Sequence, residues 1–97
     1  MKWRRRLVWE IRVSETAKKQ LGKLDKPTAK RITLFLRERV AILDDPRSRG
    51  EALKGQRLGD FWKYRVGDYR IIVSINDGAV CVLVVEVGHR KEIDQAD

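Results

Sequence analysis

Alternation of apolar and polar residues marks the strands of this chain. The run LVWEIRV, residues 7 to 13, alternates in this way and predicts a first strand. A later run from Val80 to Val85 is apolar throughout, as expected of a strand covered on both faces. With two alternating runs before it, the pattern predicts three further strands, over about residues 61–66, 69–75 and 79–87.

Helical spacing of apolar residues fills the interval after the first strand. Ser14 is a typical helix N-cap, and Glu15 follows it at the positive end of the helix dipole. Asp25 and Pro27 form a second start signal, a capping carboxylate followed by a proline in the first turn. Asp44-Asp45-Pro46 ends this second helix. The apolar stripes of the two predicted helices contain Ala17, Leu21 and Leu24, then Ala29, Ile32, Leu36, Val40 and Leu43.

The order of these elements predicts the fold class. The chain reads β-α-α-β-β-β, an α+β arrangement in which an αα hairpin packs on one face of a four-stranded, mainly antiparallel sheet. A length of 97 residues suits one domain with a single core, so we expect one domain over residues 1–97. Residues 1–6, MKWRRR, precede the first strand and are interpreted as a basic N-terminal extension.

The sequence WKYRVGDYRIIV, residues 62 to 73, predicts a tight hairpin. Gly67-Asp68 lies between two alternating runs and favours a turn of type II′ or I′. The predicted cross-strand pairs are Val66 with Tyr69, Arg65 with Arg70, Tyr64 with Ile71 and Lys63 with Ile72. Because side chains alternate along a strand, one face holds Trp62, Tyr64, Val66, Tyr69, Ile71 and Val73, and the helices must cover it. Lys63, Arg65 and Arg70 share the opposite face.

The opposite face of the hairpin carries the candidate chemistry. Arg65 faces Arg70 directly, and like charges opposed across a sheet are unfavourable, so we expect something anionic to offset the cost. A turn at Asp77-Gly78 would pair Arg70 with Val85, and Gly88 would then let the chain change direction. The residues expected at that end of the sheet are His89, Arg90 and Lys91, with Lys54 from the preceding loop. Such a group suits a phosphodiester, since cations stabilise a pentavalent phosphorane and histidine or lysine can move a proton.

The charge balance points to a polyanionic partner. Twenty-two Lys and Arg against fourteen Asp and Glu residues give a net charge of +8. Half of that excess comes from Lys2, Arg4, Arg5 and Arg6, which can also be interpreted as a solubilising arm outside the fold. The placement of the remaining cations therefore matters more than their number.

The remaining composition narrows the class of protein. With one cysteine and one histidine the chain has neither an internal disulfide nor a zinc site of ordinary ligand count, so we expect no metal or cofactor. No apolar window reaches the length of a membrane span. Glu10 and Arg12 interrupt the apolar stretch after MKWRRR, which is therefore not a signal peptide. A cytoplasmic protein is expected.

Two motifs in this order, after an αα hairpin, resemble the RelE/ParE superfamily of bacterial type II toxins, and its RelE branch in particular. The first is ALKGQRLGDFWKYRVGDYRIIV and the second is VGHRKEID near the C-terminus. The resemblance covers about residues 8 to 94. It implies a ribosome-dependent mRNA endonuclease that works in the ribosomal A site without a metal. The 2′-hydroxyl of the message would act as nucleophile and leave a cyclic phosphate.

The resemblance also assigns roles to residues. Lys63 and Arg65 would lie beside the scissile phosphate, with one of them a candidate to assist proton removal. Arg70 and Arg90 would stabilise the transition state. The implied RNA contacts are Lys54, Lys63, Arg65 and Lys91. One departure is Asp94, which stands where many members have a tyrosine. Either His89 takes the acid role, or catalysis is slow, or the protein is a weakened or inactive relative.

Partners follow from the same resemblance. A toxin of this type would bind a cognate antitoxin, acidic, partly disordered until bound and itself able to bind operator DNA, and would act on the ribosome and mRNA. Two other functions stay open. One is a ParE-like toxin that inhibits DNA gyrase without nuclease activity, although that branch generally lacks the basic cluster. The other is a simple RNA- or DNA-binding module, for which the cations alone would suffice.

Overall fold

Both predicted helix starts form helices in the computed structural model of the protein, which describes residues 8–53 and 61–93. The side chain of Ser14 accepts a hydrogen bond from the Ala17 amide at 3.1 Å and begins α1. The side chain of Asp25 accepts one from the Thr28 amide at 3.3 Å, and hydrogen bonding by Thr28 lowers the pKa of Asp25. The helices are α1 (Glu15–Gly22), α2 (Lys26–Phe35) and α3 (Arg90–Ile93). A π-helical turn, Leu36–Val40, continues α2, and a 3₁₀ turn covers Pro46–Arg49.

The described residues form a five-stranded sheet in the order β1-β5-β4-β3-β2. β1 runs parallel to β5, and the other neighbours are antiparallel. The strands are β1 (Glu10–Val13), β2 (Glu51–Ala52), β3 (Phe61–Val66), β4 (Tyr69–Asn76) and β5 (Cys81–His89). The predicted α+β class with an αα hairpin on a mainly antiparallel sheet is confirmed. The additional strand is β2, which has only 2 residues and lies within a segment too irregular to show alternation.

The first hairpin has the register that the sequence predicts. Arg65 pairs with Arg70, Lys63 with Ile72 and Tyr64 with Ile71. Gly67 has a φ of +59°, and Asp68 does not share that sign, which identifies the turn as type II′. A side chain at Gly67 would also displace the guanidinium of Arg31 slightly, since a Cβ there would lie 3.0 Å from Arg31 Nη1.

The second hairpin differs from the prediction. β4 and β5 are joined by residues 77–80, with Asn76 opposite Cys81, and a β-bulge shifts the register between Ile72 and Val73. Val80, with a φ of +49°, takes a left-handed conformation at the end of this connection, whereas the sequence predicted a tight turn at Asp77-Gly78. Arg70 therefore lies opposite Gly88 instead of Val85, and β5 continues to His89.

Tyr64 lies at the centre of the main core, between the helices and the sheet. Its ring is fully buried and meets Phe35 edge-on, with ring centroids 5.8 Å apart. The hydroxyl donates a hydrogen bond to the Pro46 carbonyl at 2.9 Å, and burial raises the pKa of Tyr64 well above its ordinary value. The other buried members are Trp9, Ala17, Ile32, Leu36, Val40, Val66, Ile71, Val73, Val82, Val84 and Val87.

A second, smaller apolar cluster lies on the other face of the sheet. Leu53, Ile72 and Ile93 form it, with Phe61 and Val85 packed at its border. α3 supplies Ile93, so this helix folds back onto the face that holds the predicted cations. That face is therefore only partly open to solvent.

Several sequence expectations concern residues that the structure does not describe. The basic extension over residues 1–6, Lys54 and Asp94 all lie outside the described ranges. Among the residues that are described, no helix is long and apolar enough to cross a membrane.

Replacement of Tyr64 by Phe should lower the free energy of unfolding by about 1–2 kcal/mol, because the buried Pro46 carbonyl loses its donor. Urea denaturation measures this change. Tyr69→Phe is the matched control, since the half-buried Tyr69 makes no side-chain hydrogen bond to the described residues. Equal stability changes in the two variants would contradict the assigned role of the Tyr64 hydroxyl.

Candidate functional site

Three cations of the first hairpin share the sheet face opposite the main core, as the confirmed register requires. Their environments differ. Lys63 and Arg70 are buried, with 8% and 6% of their surface exposed, whereas the side chain of Arg65 is 58% exposed. We call Lys63, Arg65 and Arg70 the cation face. Two of its members are held by the fold, and the third extends into solvent.

A carboxylate from β2 neutralises part of the cation face. Glu51 lies opposite Lys63 in the pairing of β2 with β3. Its two oxygens accept hydrogen bonds from Arg65 Nη2 at 3.2 and 3.3 Å. The predicted anion that offsets the Arg65–Arg70 repulsion thus has a counterpart inside the protein. The sequence analysis missed Glu51; the available signal was an acidic residue just after Gly50, ahead of the buried Leu53.

Arg70 is directed towards the type II′ turn. Its Nη1 donates hydrogen bonds to the carbonyl oxygens of Gly67 at 3.1 Å and Tyr69 at 3.0 Å. These carbonyl dipoles stabilise a guanidinium that is largely removed from water. The same bonds turn the Arg70 head group towards the end of the hairpin, which lowers its repulsion with Arg65.

Arg90 lies at the same end of the sheet. Its amide donates a hydrogen bond to the Asp68 carbonyl at 2.7 Å, and its Nε lies 3.9 Å from Asp68 Oδ1. Gly88, opposite Arg70, lets α3 fold close over β5, because a Cβ there would lie 3.1 Å from Ile93. The structure therefore brings Arg90 to the hairpin end of the cation face. Lys91 follows it in α3 and is exposed.

His89 lies on the opposite side of the sheet from the cation face. It pairs with Tyr69, and the two rings meet edge-on with centroids 5.5 Å apart, on the side that the helices cover. Its Nδ1 accepts a hydrogen bond from the Lys91 amide at 3.1 Å. The bulge near Ile72 and the extension of β5 together set this orientation. The structure does not bring His89 together with Lys63, Arg65 and Arg70.

The carboxylates around this site are scattered along its border. Glu86 lies on the same face as the cations, opposite Ile72, and is exposed. Among the described residues, no group of three or more His, Cys, Asp or Glu side chains could hold a metal ion. The chemistry that the arrangement supports is the binding of an anion and the stabilisation of negative charge on it.

A groove of a different character lies between β1 and the helices. Its volume is about 440 Å³, and its lining is mostly apolar: Val8, Trp9, Ile11, Val13, Leu21, Thr33, Leu36, Arg37 and Ala41. β1 is an edge strand, and the amides of Glu10 and Ser14 point to β5, so the amides of Ile11 and Val13 point outwards. Trp9 is 7% exposed, and its buried Nε1–H has no acceptor among the described residues. The groove thus combines apolar surface with the outward-pointing amides of an edge strand. We call it the apolar groove.

The chain matches one protein-family model. A family model described as the ParE toxin of the type II toxin-antitoxin system, parDE, matches residues 11–94. A search of curated protein sequences finds no match.

Solved structures share the fold. The toxin-antitoxin complex RelBE2 from Mycobacterium tuberculosis contains a chain 25% identical to this one, with a TM-score of 0.79, over 87% of this chain and 93% of that chain. The intact Escherichia coli RelBE complex matches at 28% identity and a TM-score of 0.64, over 84% of this chain and 95% of that chain. The isolated E. coli RelE toxin matches at 19% identity with a TM-score of 0.65, over 92% and 99% respectively, and at that identity shows the fold alone.

Release of Arg65 from its internal partner should strengthen anion binding. In Glu51→Gln we expect the affinity for a short RNA oligonucleotide to rise about two- to fivefold at low salt, since exposed ion pairs are worth at most ~1 kcal/mol. Fluorescence anisotropy measures this affinity. Glu86→Gln is the control, because it makes the same charge change on the same face at a carboxylate that forms no ion pair with a described residue. An equal gain in both variants would show an effect of net charge alone.

Proposed function

The chain belongs to the ParE toxin family of type II toxin-antitoxin systems, and from this premise we propose that it is an endoribonuclease that cleaves mRNA in the ribosomal A site. This toxin of the RelE/ParE type would act in the cytoplasm and need no metal. The observation that carries the proposal is the cation face, with Arg90 brought to its hairpin end. A surface of this kind fits a phosphodiester under attack better than it fits a small neutral substrate.

The proposed reaction uses the message as its own nucleophile. The 2′-hydroxyl oxygen bonds to the adjacent phosphorus as its proton leaves, and the bond from phosphorus to the 5′ oxygen breaks as that oxygen gains a proton. The products are a cyclic phosphate and a new 5′-hydroxyl. Arg70 and Arg90 would stabilise the charge that develops on the phosphorane. Lys63 and Arg65 would hold the scissile phosphate, with Lys63 as the candidate to assist proton removal.

The proposal gives His89 a positioning role. Its Nδ1 already accepts the Lys91 amide, and its ring packs against Tyr69 on the helix side of the sheet. These contacts hold the first turn of α3, which carries Arg90 and Lys91. Lys54 and Lys91 are proposed RNA contacts outside the reacting centre, and Asp94 lies beyond the described residues.

The proposed protein partner is a cognate antitoxin that binds the apolar groove. RelB–RelE pairs from Mycobacterium tuberculosis, Escherichia coli and Methanococcus jannaschii form toxin-antitoxin complexes. An antitoxin segment with apolar side chains would pair with the open edge of β1 and pack those side chains in the groove. An acidic antitoxin would complement the net charge of +8. Through the antitoxin the complex would reach operator DNA.

A second candidate is inhibition of DNA gyrase. The family model that matches this chain is described as the ParE toxin. In addition, the Glu51 carboxylate binds Arg65, the one strongly exposed guanidinium of the cation face. Under this reading the cations would serve binding, not cleavage. A supercoiling assay with purified gyrase tests it directly.

Primer extension on a defined message in a cell-free translation reaction tests the nuclease. We expect cuts that require ribosomes and that fall by about 100-fold or more in Arg70→Ala and in Arg90→Ala, because each removes a stabiliser of the transition state. Arg90 is 55% exposed in its side chain, so its replacement leaves the core intact, whereas Arg70→Ala needs a circular dichroism check. Arg37→Ala, on the helix side, is the control and should cleave like wild type.

Three outcomes would contradict parts of this proposal. Cuts without ribosomes would indicate a free ribonuclease. If both arginine variants cut the message at wild-type levels, the cation face would have no part in the reaction. No cuts by the folded wild-type protein, together with loss of gyrase supercoiling, would favour the second candidate.

A further inference from the structure

A second basic surface adjoins the cation face, and three of its arginines, Arg31, Arg39 and Arg49, lie outside both sequence motifs. The C-terminal half of α2, the π-helical turn and the end of the β3–β4 hairpin enclose a groove of about 360 Å³. Its lining holds four arginines and one glutamate: Arg31, Leu34, Phe35, Glu38, Arg39, Arg49, Arg65, Val66 and Gly67. The guanidinium groups therefore set the charge of this groove.

This groove continues around the edge of the sheet. A neighbouring depression of about 190 Å³ is lined by Phe35, Arg49, Glu51, Lys63 and Arg65. The two share Phe35, Arg49 and Arg65. The joined surface, which we call the basic rim, leads from Arg31 at the hairpin turn to Lys63 on the cation face.

Local backbone features give the basic rim its shape. The Leu36–Val40 segment has π-helical geometry, with the Ala41 amide bonded to the Leu36 carbonyl at 2.9 Å, and such turns are frequent at functional sites. Arg39 lies in this turn. On the facing side, Gly67 has no Cβ and so leaves room for the Arg31 guanidinium over the hairpin turn. Both features therefore border the groove that holds Arg31 and Arg39.

A row of guanidinium groups beside an aromatic ring favours one class of ligand. Arginine binds phosphate oxygens through a planar fork of donors, and the half-buried Phe35 offers an apolar surface at which a base or sugar can rest. The arginines are arranged along a groove and do not surround one point, and this arrangement suits a chain of phosphates. An amphipathic protein segment finds its apolar surface instead in the apolar groove, on the other side of α2.

We propose that the basic rim binds the sugar-phosphate backbone of RNA and guides it to the cation face. This inference rests on the proposed function in one respect, namely that the RNA is led to Lys63 and Arg65. The binding of RNA to the rim depends only on Arg31, Arg39 and Arg49. The RNA is either the message next to the scissile phosphate or ribosomal RNA beside it. The two sources share one chemistry, and the binding experiment separates them.

The experiment compares two variants of equal charge. Arg39→Gln/Arg49→Gln removes two cations of the basic rim, and Lys19→Gln/Lys23→Gln removes two exposed cations of α1 and its C-cap that lie outside it. The probes are a fluorescent 2′-O-methyl RNA oligonucleotide, which cannot supply a nucleophile, and purified ribosomes. Cleavage by the wild-type protein in cell-free translation is measured in parallel, with circular dichroism for both variants.

We expect the rim variant to bind the oligonucleotide roughly 25-fold more weakly at 0.1 M salt, from a factor of about five for each phosphate contact. The slope of log affinity against log salt should fall by about 1.4. The control variant should change neither quantity. Loss of affinity for the oligonucleotide identifies the message as the ligand, whereas a loss seen only with ribosomes identifies ribosomal RNA.

The other outcomes overturn the inference, alone or with the proposed function. Equal losses in both variants, or none in the rim variant while the wild type cleaves, would overturn the basic rim and leave the nuclease standing. Displacement of the oligonucleotide by polyglutamate at matched charge would mean an acidic polypeptide site. A rim-dependent affinity without wild-type cleavage would support the rim and count against the nuclease. Wild-type protein that binds neither probe would overturn both.

Discussion

The Tyr64 ring, wholly buried among the helices and the sheet, ties together parts of the chain that are far apart in sequence. It meets Phe35 of α2 edge-on and donates its hydroxyl proton to the Pro46 carbonyl in the 3₁₀ turn. Lys63 and Arg65 are its chain neighbours on β3, so the pleat that buries Tyr64 directs both cations to the other face. The position of the cation face is therefore a consequence of core packing.

The cations on this face repel one another, and groups close to them in the fold offset the repulsion. Glu51 on the short β2 strand binds Arg65, carbonyl oxygens of the type II′ turn bind Arg70, and Asp68 in the same turn lies near Arg90. Each partner comes from a turn or an edge strand and not from the core. Such partners hold the guanidinium groups in place before any ligand arrives, which lowers the ordering cost of binding an anion.

The α2 segment and its π-helical turn divide two surfaces of opposite chemistry. Leu36 and Arg37 border the apolar groove, whereas Arg31 and Arg39 border the basic rim. A single helix in this position can take an apolar protein partner on one side and a polyanion on the other. The linings of the two surfaces have no residue in common, so substitutions can alter one surface without the other.

The sequence by itself determined the elements with local causes and the family. The caps at Ser14 and Asp25, the Gly67-Asp68 turn and the register of Arg65 with Arg70 follow from neighbouring residues, and all are confirmed. The RelE/ParE resemblance is confirmed as well. Only the tertiary structure decided the Glu51 pairing, the bulge at Ile72 and the side on which His89 lies. A two-residue strand carries no periodicity, and a bulge of one residue reverses every later side chain, so both depend on long-range packing that local patterns do not contain.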